Sequence, residues 1–201
     1  VACTVGAGGT QIRFTTDGNA PTTGSAVWSD RAFTSTTNLK TISCDALNNC
    51  YVGDGITSTT YTKDDTAPAF TIIDNASATA VQSDTITVTV SDGSGSGVGA
   101  TTYFGISENN VCDGTDTLNS TGLTVTYSDQ TNNGKYVCFK NTDNVTNTGY
   151  STAMGPLNID ITPPTGAPSC TPTGFFQSSQ DVACTVGAGG TQIRFTTDGN
   201  A

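Results

Sequence analysis

The chain has 201 residues, a formal net charge of -10 and no histidine, and only 12% of its residues are charged. Forty threonines against five leucines favour strands over amphipathic helices. Seven Lys and Arg residues argue against a phosphate-backbone partner, and without histidine there is no Ser-His-Asp or Cys-His relay and no His-ligated metal.

Taken in chain order, residues 1–5 and 11–15 read as strands, with an Asp-Gly turn signal at 17–18. Residues 39–44 and 50–52 follow as two further strands. In the centre, Thr-Ile-Thr-Val-Thr-Val at 85–90 alternates threonine with apolar residues, as a half-buried strand does. A Gly/Ser-rich loop at 91–97 leads to a strand at 101–106, and further strands are expected at 122–127, 135–140 and 157–161. Strands at this spacing, separated by Gly, Asn and Asp turns, predict an all-β chain of Greek-key β-sandwiches. No apolar run approaches the ~18 residues of a membrane span. No secretory leader is visible, and a chain that begins at Val1 reads as a fragment or a processed product.

Residues 182–201 repeat residues 1–20 at every position, an offset of 181 residues. The chain therefore reads as a window on a tandem array of whole domains, since solenoid units are only ~20–50 residues long. Pro-containing segments at 63–68 and 158–164 mark stiff linkers. They delimit three pieces. Residues 66–162 form one complete domain. Residues 1–65 are the C-terminal part of a second, whose first strand the preceding copy supplies. Residues 163–201 are the N-terminal part of its next copy.

Within the first piece, the run from Ile12 to Thr22, Ile-Arg-Phe-Thr-Thr-Asp-Gly-Asn-Ala-Pro-Thr, resembles a signature of the chitobiase/β-hexosaminidase C-terminal-like domain. Thr-Asn-Leu-Lys-Thr-Ile at 37–42 and Asp-Ala-Leu-Asn-Asn at 45–49 resemble that family's later strand and turn. The resemblance extends over 163–201 together with 1–65. More loosely, the central Ser-Asp-Gly-Ser-Gly-Ser-Gly-Val at 91–98 and Thr-Asp-Asn-Val-Thr-Asn at 142–147 resemble loops of tandem bacterial Ig-like adhesin repeats. These resemblances imply disulfide-stapled Ig-like sandwiches strung along a surface or secreted protein, and no catalytic residue.

Of seven cysteines, Cys184 is Cys3 one period later, so each repeat holds six. An even number suits a disulfide framework in an oxidising compartment. Local spacing favours Cys44 with Cys50, Cys112 with Cys138, and Cys170 with Cys184, leaving Cys3 to bond the Cys170 equivalent of the preceding copy. The alternative is a bond from Cys3 to Cys44 across two sheets. The local set is preferred because Cys44 shares a strand face with Lys40, which is expected to point outward.

Asp64, Asp65 and Asp160 stand at the junctions, where related adhesin repeats hold calcium, and are candidate oxygen ligands beside the plainer reading of solvated linker charges. No other cofactor is expected. Trp28 is read as packing under a strand edge rather than as a sugar-stacking platform. Asn75, Asn119 and Asn144 fit the N-glycosylation pattern. Glu108 is the one glutamate, and no carboxylate pair for glycoside hydrolysis is evident.

The expectation is a non-catalytic repeat unit of a long extracellular or cell-surface fibre or adhesin stalk. Its neighbours would be identical repeats before and after it, with strand exchange as a variant and any glycan or surface receptor elsewhere in the full protein. A carbohydrate-binding accessory module of a secreted glycosidase is the alternative.

Overall fold

Threonine alternates with isoleucine and valine in the central strands, which places an apolar face inward and a hydroxyl-bearing face in water. The computed structural model describes residues 1–51 and 55–197. It divides into two compact units, Val1–Thr66 and Ala67–Ala201.

The first unit holds β1 (Gln11–Thr15), β2 (Ala26–Val27), β3 (Thr37–Cys44) and β4 (Thr57–Tyr61). They form one antiparallel sheet in the order β2-β1-β3-β4. Ile12 and Phe14 of β1 are buried on the same side of the sheet as Leu39 of β3, while Ile42 and Cys44 are buried on its other side. The segment after β2 covers the Phe14 side. Trp28 stands edge-on to Phe14 with ring centroids 5.2 Å apart, and the Arg31 guanidinium lies 4.2 Å from the Phe14 ring centre. A cation held over an aromatic face adds attraction beyond area burial.

The second unit holds β5 (Ala69–Asp74), β6 (Asp84–Ser91), β7 (Val98–Ser107), β8 (Ser120–Thr121), β9 (Thr124–Tyr127), β10 (Tyr136–Asp143), β11 (Thr148–Tyr150), β12 (Ser169–Thr171) and β13 (Ala183–Thr185). One sheet runs β5-β6-β9 and another β11-β10-β7-β8, while β12 and β13 pair with each other. Ile86 and Val88 of β6 pack with Val137 and Phe139 of β10 and with Met154, Leu157 and Ile159. Two sheets sharing one apolar interior make a β-sandwich consistent with the Ig-like class. The threonines serve the outer face: the Thr85 and Thr126 hydroxyls lie 2.8 Å apart across β6 and β9, and those of Thr87 and Thr124 lie 3.2 Å apart.

Three predicted strands differ in the structure. Residues 1–5 form none, and among the described residues no strand pairs with them. The strand predicted at 50–52 is reduced to a single bridge between Cys50 and Cys44, and Val52 lies outside the described residues. Residues 157–161 contribute one parallel bridge, Ile159 to Val81. There side-chain amides bond part of the backbone, beside backbone bonds to Val81, Lys135 and Gly134. The Ile159 amide donates to Asn133 Oδ1, Gln130 Nε2 donates to the Ile159 carbonyl, and the Ile161 amide donates to Gln130 Oε1.

Candidate functional site

Cysteine placement is the chemistry this chain carries most plainly. Cys44 is bonded to Cys50, Cys112 to Cys138 and Cys170 to Cys184. The first bond closes the loop from β3, where the Asp45 carboxylate accepts the amides of Leu47 and Asn49 and the side chain of Asn49. The second ties the loop after β7 to the middle of β10, where Cys138 is fully buried. The third spans β12 and β13. Three such bonds belong to an oxidising compartment.

Cys44 does not point outward: it is 1% exposed and shares an inward face with Ile42. Lys40 does not define an outer face either. It is half-buried, and its ammonium donates to the Gly18 carbonyl at 2.6 Å.

Cys3 is the free cysteine among the described residues and is half-buried. Burial, followed by the nearby Asp30 carboxylate, pushes its thiol above the ordinary range, while the amino terminus opposes them. At neutral pH it is a thiol rather than a thiolate.

The junction carboxylates have protein partners. Asp64 accepts the Thr66 amide at 2.9 Å, and Asp65 pairs with Lys63 at 2.7 Å. Asp160, in the second unit, is exposed and accepts the Thr162 amide at 3.0 Å. Two further hard oxygen donors lie in the second unit, and sequence reasoning did not name them. Asp92 and Asp143 follow β6 and end β10, each is 6% exposed, and one oxygen of each lies within 4.8 Å of the other. Asp92 Oδ2 accepts the Gly97 amide at 2.7 Å, but its Oδ1 is buried without a partner. Among the described residues, neither makes an ion pair with Lys or Arg. Two dry carboxylates at that separation, one with an orphaned oxygen, fit a hard divalent cation such as Ca²⁺, with water and carbonyl oxygens completing its shell. The signal that could have found them was the pair of Asp-led loops already singled out at 91–98 and 142–147.

The remaining candidates lie apart. Trp28 packs between Phe14 and Phe33, and its Nε1 donates to Asp30 at 3.2 Å. Asn75, Asn119 and Asn144 are exposed, although the Asn144 amide also donates to the Ser96 carbonyl. Glu108 pairs with Lys135 at 2.9 Å.

Residues 1–52 match the chitobiase/beta-hexosaminidase C-terminal domain. That family is a non-catalytic, Ig-like accessory module. No curated protein and no solved structure matches the chain.

Proposed function

We propose that this chain is the structural repeat unit of a long extracellular or cell-surface fibre, or of an adhesin stalk, and that it is not an enzyme. The observation that carries this reading is the recurrence of residues 1–20 at 182–201, an offset of 181 residues. Each repeat then comprises one complete Ig-like sandwich, residues 66–162, and a second Ig-like domain divided between residues 163–201 and the 1–65 segment that follows. Disulfides, hydrogen-bonded strands and Pro-containing linkers hold length and resist extension. A net charge of -10 and hydroxyl-rich outer faces keep neighbouring threads apart in water. The compartment that supports such bonds is extracellular.

Electron microscopy of the native material tests this directly. A thin, regularly beaded thread is expected, and compact particles of one or two beads count against it.

The match at residues 1–52 favours a second reading, an accessory module beside a secreted glycosidase. Carbohydrate modules display exposed, coplanar rings, whereas the Trp28 ring is engaged by Phe14, Phe33 and Arg31. Specific binding on a glycan array would favour that reading over the fibre.

A further inference from the structure

The two packed sheets of the second unit share an apolar interior, but neither of that unit's disulfides among the described residues crosses between them. Cys112–Cys138 ties the loop after β7 to β10, within one sheet, and Cys170–Cys184 lies within the β12–β13 pair. Asp92 and Asp143 stand where such a tie is missing. β6 belongs to one sheet and β10 to the other, and the loop at 92–97 carries the chain from β6 across to β7. Val98, the first residue of β7, lies opposite Asp143. Each sheet therefore brings one carboxylate to the same end of the sandwich.

The backbone holds both carboxylates in place. Gly93 and Gly97 take φ 55° and 94°, which turns the loop so that the Gly97 amide reaches Asp92 Oδ2. Asn144 sews this loop to the one after β10. Its backbone amide donates to the Gly97 carbonyl at 3.2 Å, and its side chain donates to the Ser96 carbonyl at 2.7 Å. Asp143 in turn accepts the amides of Val145 and Asn147 and the Asn147 side chain. These bonds use only part of the lone pairs that two carboxylates offer.

Asp92 Oδ1 is the independent observation. It is buried without a partner, on a side chain that is itself almost fully buried, with an oxygen of Asp143 within 4.8 Å of the Asp92 carboxylate. The lysines of this unit are engaged elsewhere. Lys135 pairs with Glu108, and the Lys140 ammonium lies over the Tyr103 ring, 5.4 Å from its centre. Two carboxylates kept this dry and this close are costly unless they share a cation.

We propose that Asp92 and Asp143 bind one Ca²⁺, and that this ion clamps the two sheets of the second unit together at the end where β6 crosses to β7. Two carboxylates neutralise its charge. Ca²⁺ accepts a flexible shell completed by carbonyl oxygens and water, whereas Mg²⁺ demands near-octahedral geometry and keeps its waters, which suits so dry a pair poorly. The clamp goes beyond the fibre reading and belongs to a single repeat as much as to a thread.

The test is calorimetric titration of the chelator-treated 201-residue protein, with circular dichroism showing that each variant folds. One Ca²⁺ per chain should bind, and Mg²⁺ more weakly. Asp92→Asn should abolish binding. In chelator, this variant should unfold no earlier than the wild type, because it removes one of two like charges and keeps an oxygen for the Gly97 amide. Gly97→Ala leaves both carboxylates but places a Cβ in a left-handed backbone, 3.2 Å from Asn144 Nδ2. It should weaken binding roughly 10- to 100-fold, as loss of support behind a metal ligand does. Ca²⁺ should also slow hydrogen exchange at residues 93–98 and 144–147 together, since one ion holds both loops. The proposal is overturned by the absence of Ca²⁺ binding, by full affinity in either folded variant, or by protection of one loop alone. Earlier unfolding of Asp92→Asn in chelator would overturn it too, by making Asp92 a structural residue. Beaded threads that bind no Ca²⁺ would leave the fibre reading standing and remove only the clamp.

Discussion

Asn48 and Thr146 occupy the same place in two loops built to one plan. In the first, Asp45 Oδ1 accepts the amides of Leu47 and Asn49, and Oδ2 accepts the Asn49 side chain. In the second, Asp143 does the same for Val145 and Asn147. Both loops force their fourth residue into the left-handed region, Asn48 at φ 65° and Thr146 at φ 78°. Asparagine tolerates that region, but a β-branched threonine is strained there. Thr146→Gly should therefore stabilise the protein by about 1 kcal/mol, which calorimetry would read as a rise of roughly 2–4 °C in the unfolding midpoint. Asn48→Gly should change it much less. The Asp45 carboxyl is held below the usual carboxylate range, first by the Asn49 side-chain amide and then by the Asn49 backbone amide. A depressed carboxylate contributes stability that is present above its unfolded pKa of about 3.9 and is lost as pH falls through the folded value. Asp45→Ala should flatten the acid limb of the midpoint-versus-pH curve and leave its slope near neutrality unchanged. An acid limb as steep as the wild type's would remove this loop from the account.

At the scale of elements, β6 and β10 were legible because their alternation survives intact: Ile86, Val88, Val137 and Phe139 all face the core. The strand at β4 was hidden, because Thr57–Tyr61 is an edge strand with four exposed residues and no apolar period to read. Leu157 and Ile159 showed the right alternation for a strand, but the Ile159 backbone is bonded by Gln130 and Asn133 side chains, which no periodicity announces. The disulfide pairs were readable from spacing, yet Cys44 faces inward because β3 buries residues on both sides, Leu39 on one and Ile42 and Cys44 on the other, which one lysine does not announce. The acidic pair was missed for a related reason. Asp92 and Asp143 are far apart in sequence and meet only because the ends of β6 and β10 approach in the fold. If that pair holds Ca²⁺, ion at about 100 times its dissociation constant should stabilise the folded state by ~2.7 kcal/mol. Asp92→Asn should abolish the resulting rise in midpoint, and a midpoint indifferent to Ca²⁺ and chelator in the wild-type protein would dismiss the ion.

For the whole molecule, the proposed fibre role requires a chain with few large apolar residues to carry load along its length. A protein under tension fails by separating strands, and the hidden length between two bonded cysteines cannot extend while the bond lasts. Cys112–Cys138 encloses a separation of 26 residues and is anchored at a fully buried cysteine of β10. The chain reaches ~3.3–3.6 Å per residue when fully extended, so that bond withholds about 90 Å of contour length. Reductant also opens Cys170–Cys184 in the same unit, so pulling single molecules with and without it should show the unfolding of the second unit lengthen by roughly 130–145 Å. Cys112→Ser paired with Cys138→Ser should show about 90 Å of that lengthening without reductant. The remaining two bonds, with separations of 6 and 14 residues, withhold less. A contour length unchanged by reductant would mean that these bonds are not formed in the loaded molecule, and a fibre held by such thin cores would then have only its strand hydrogen bonds to resist extension.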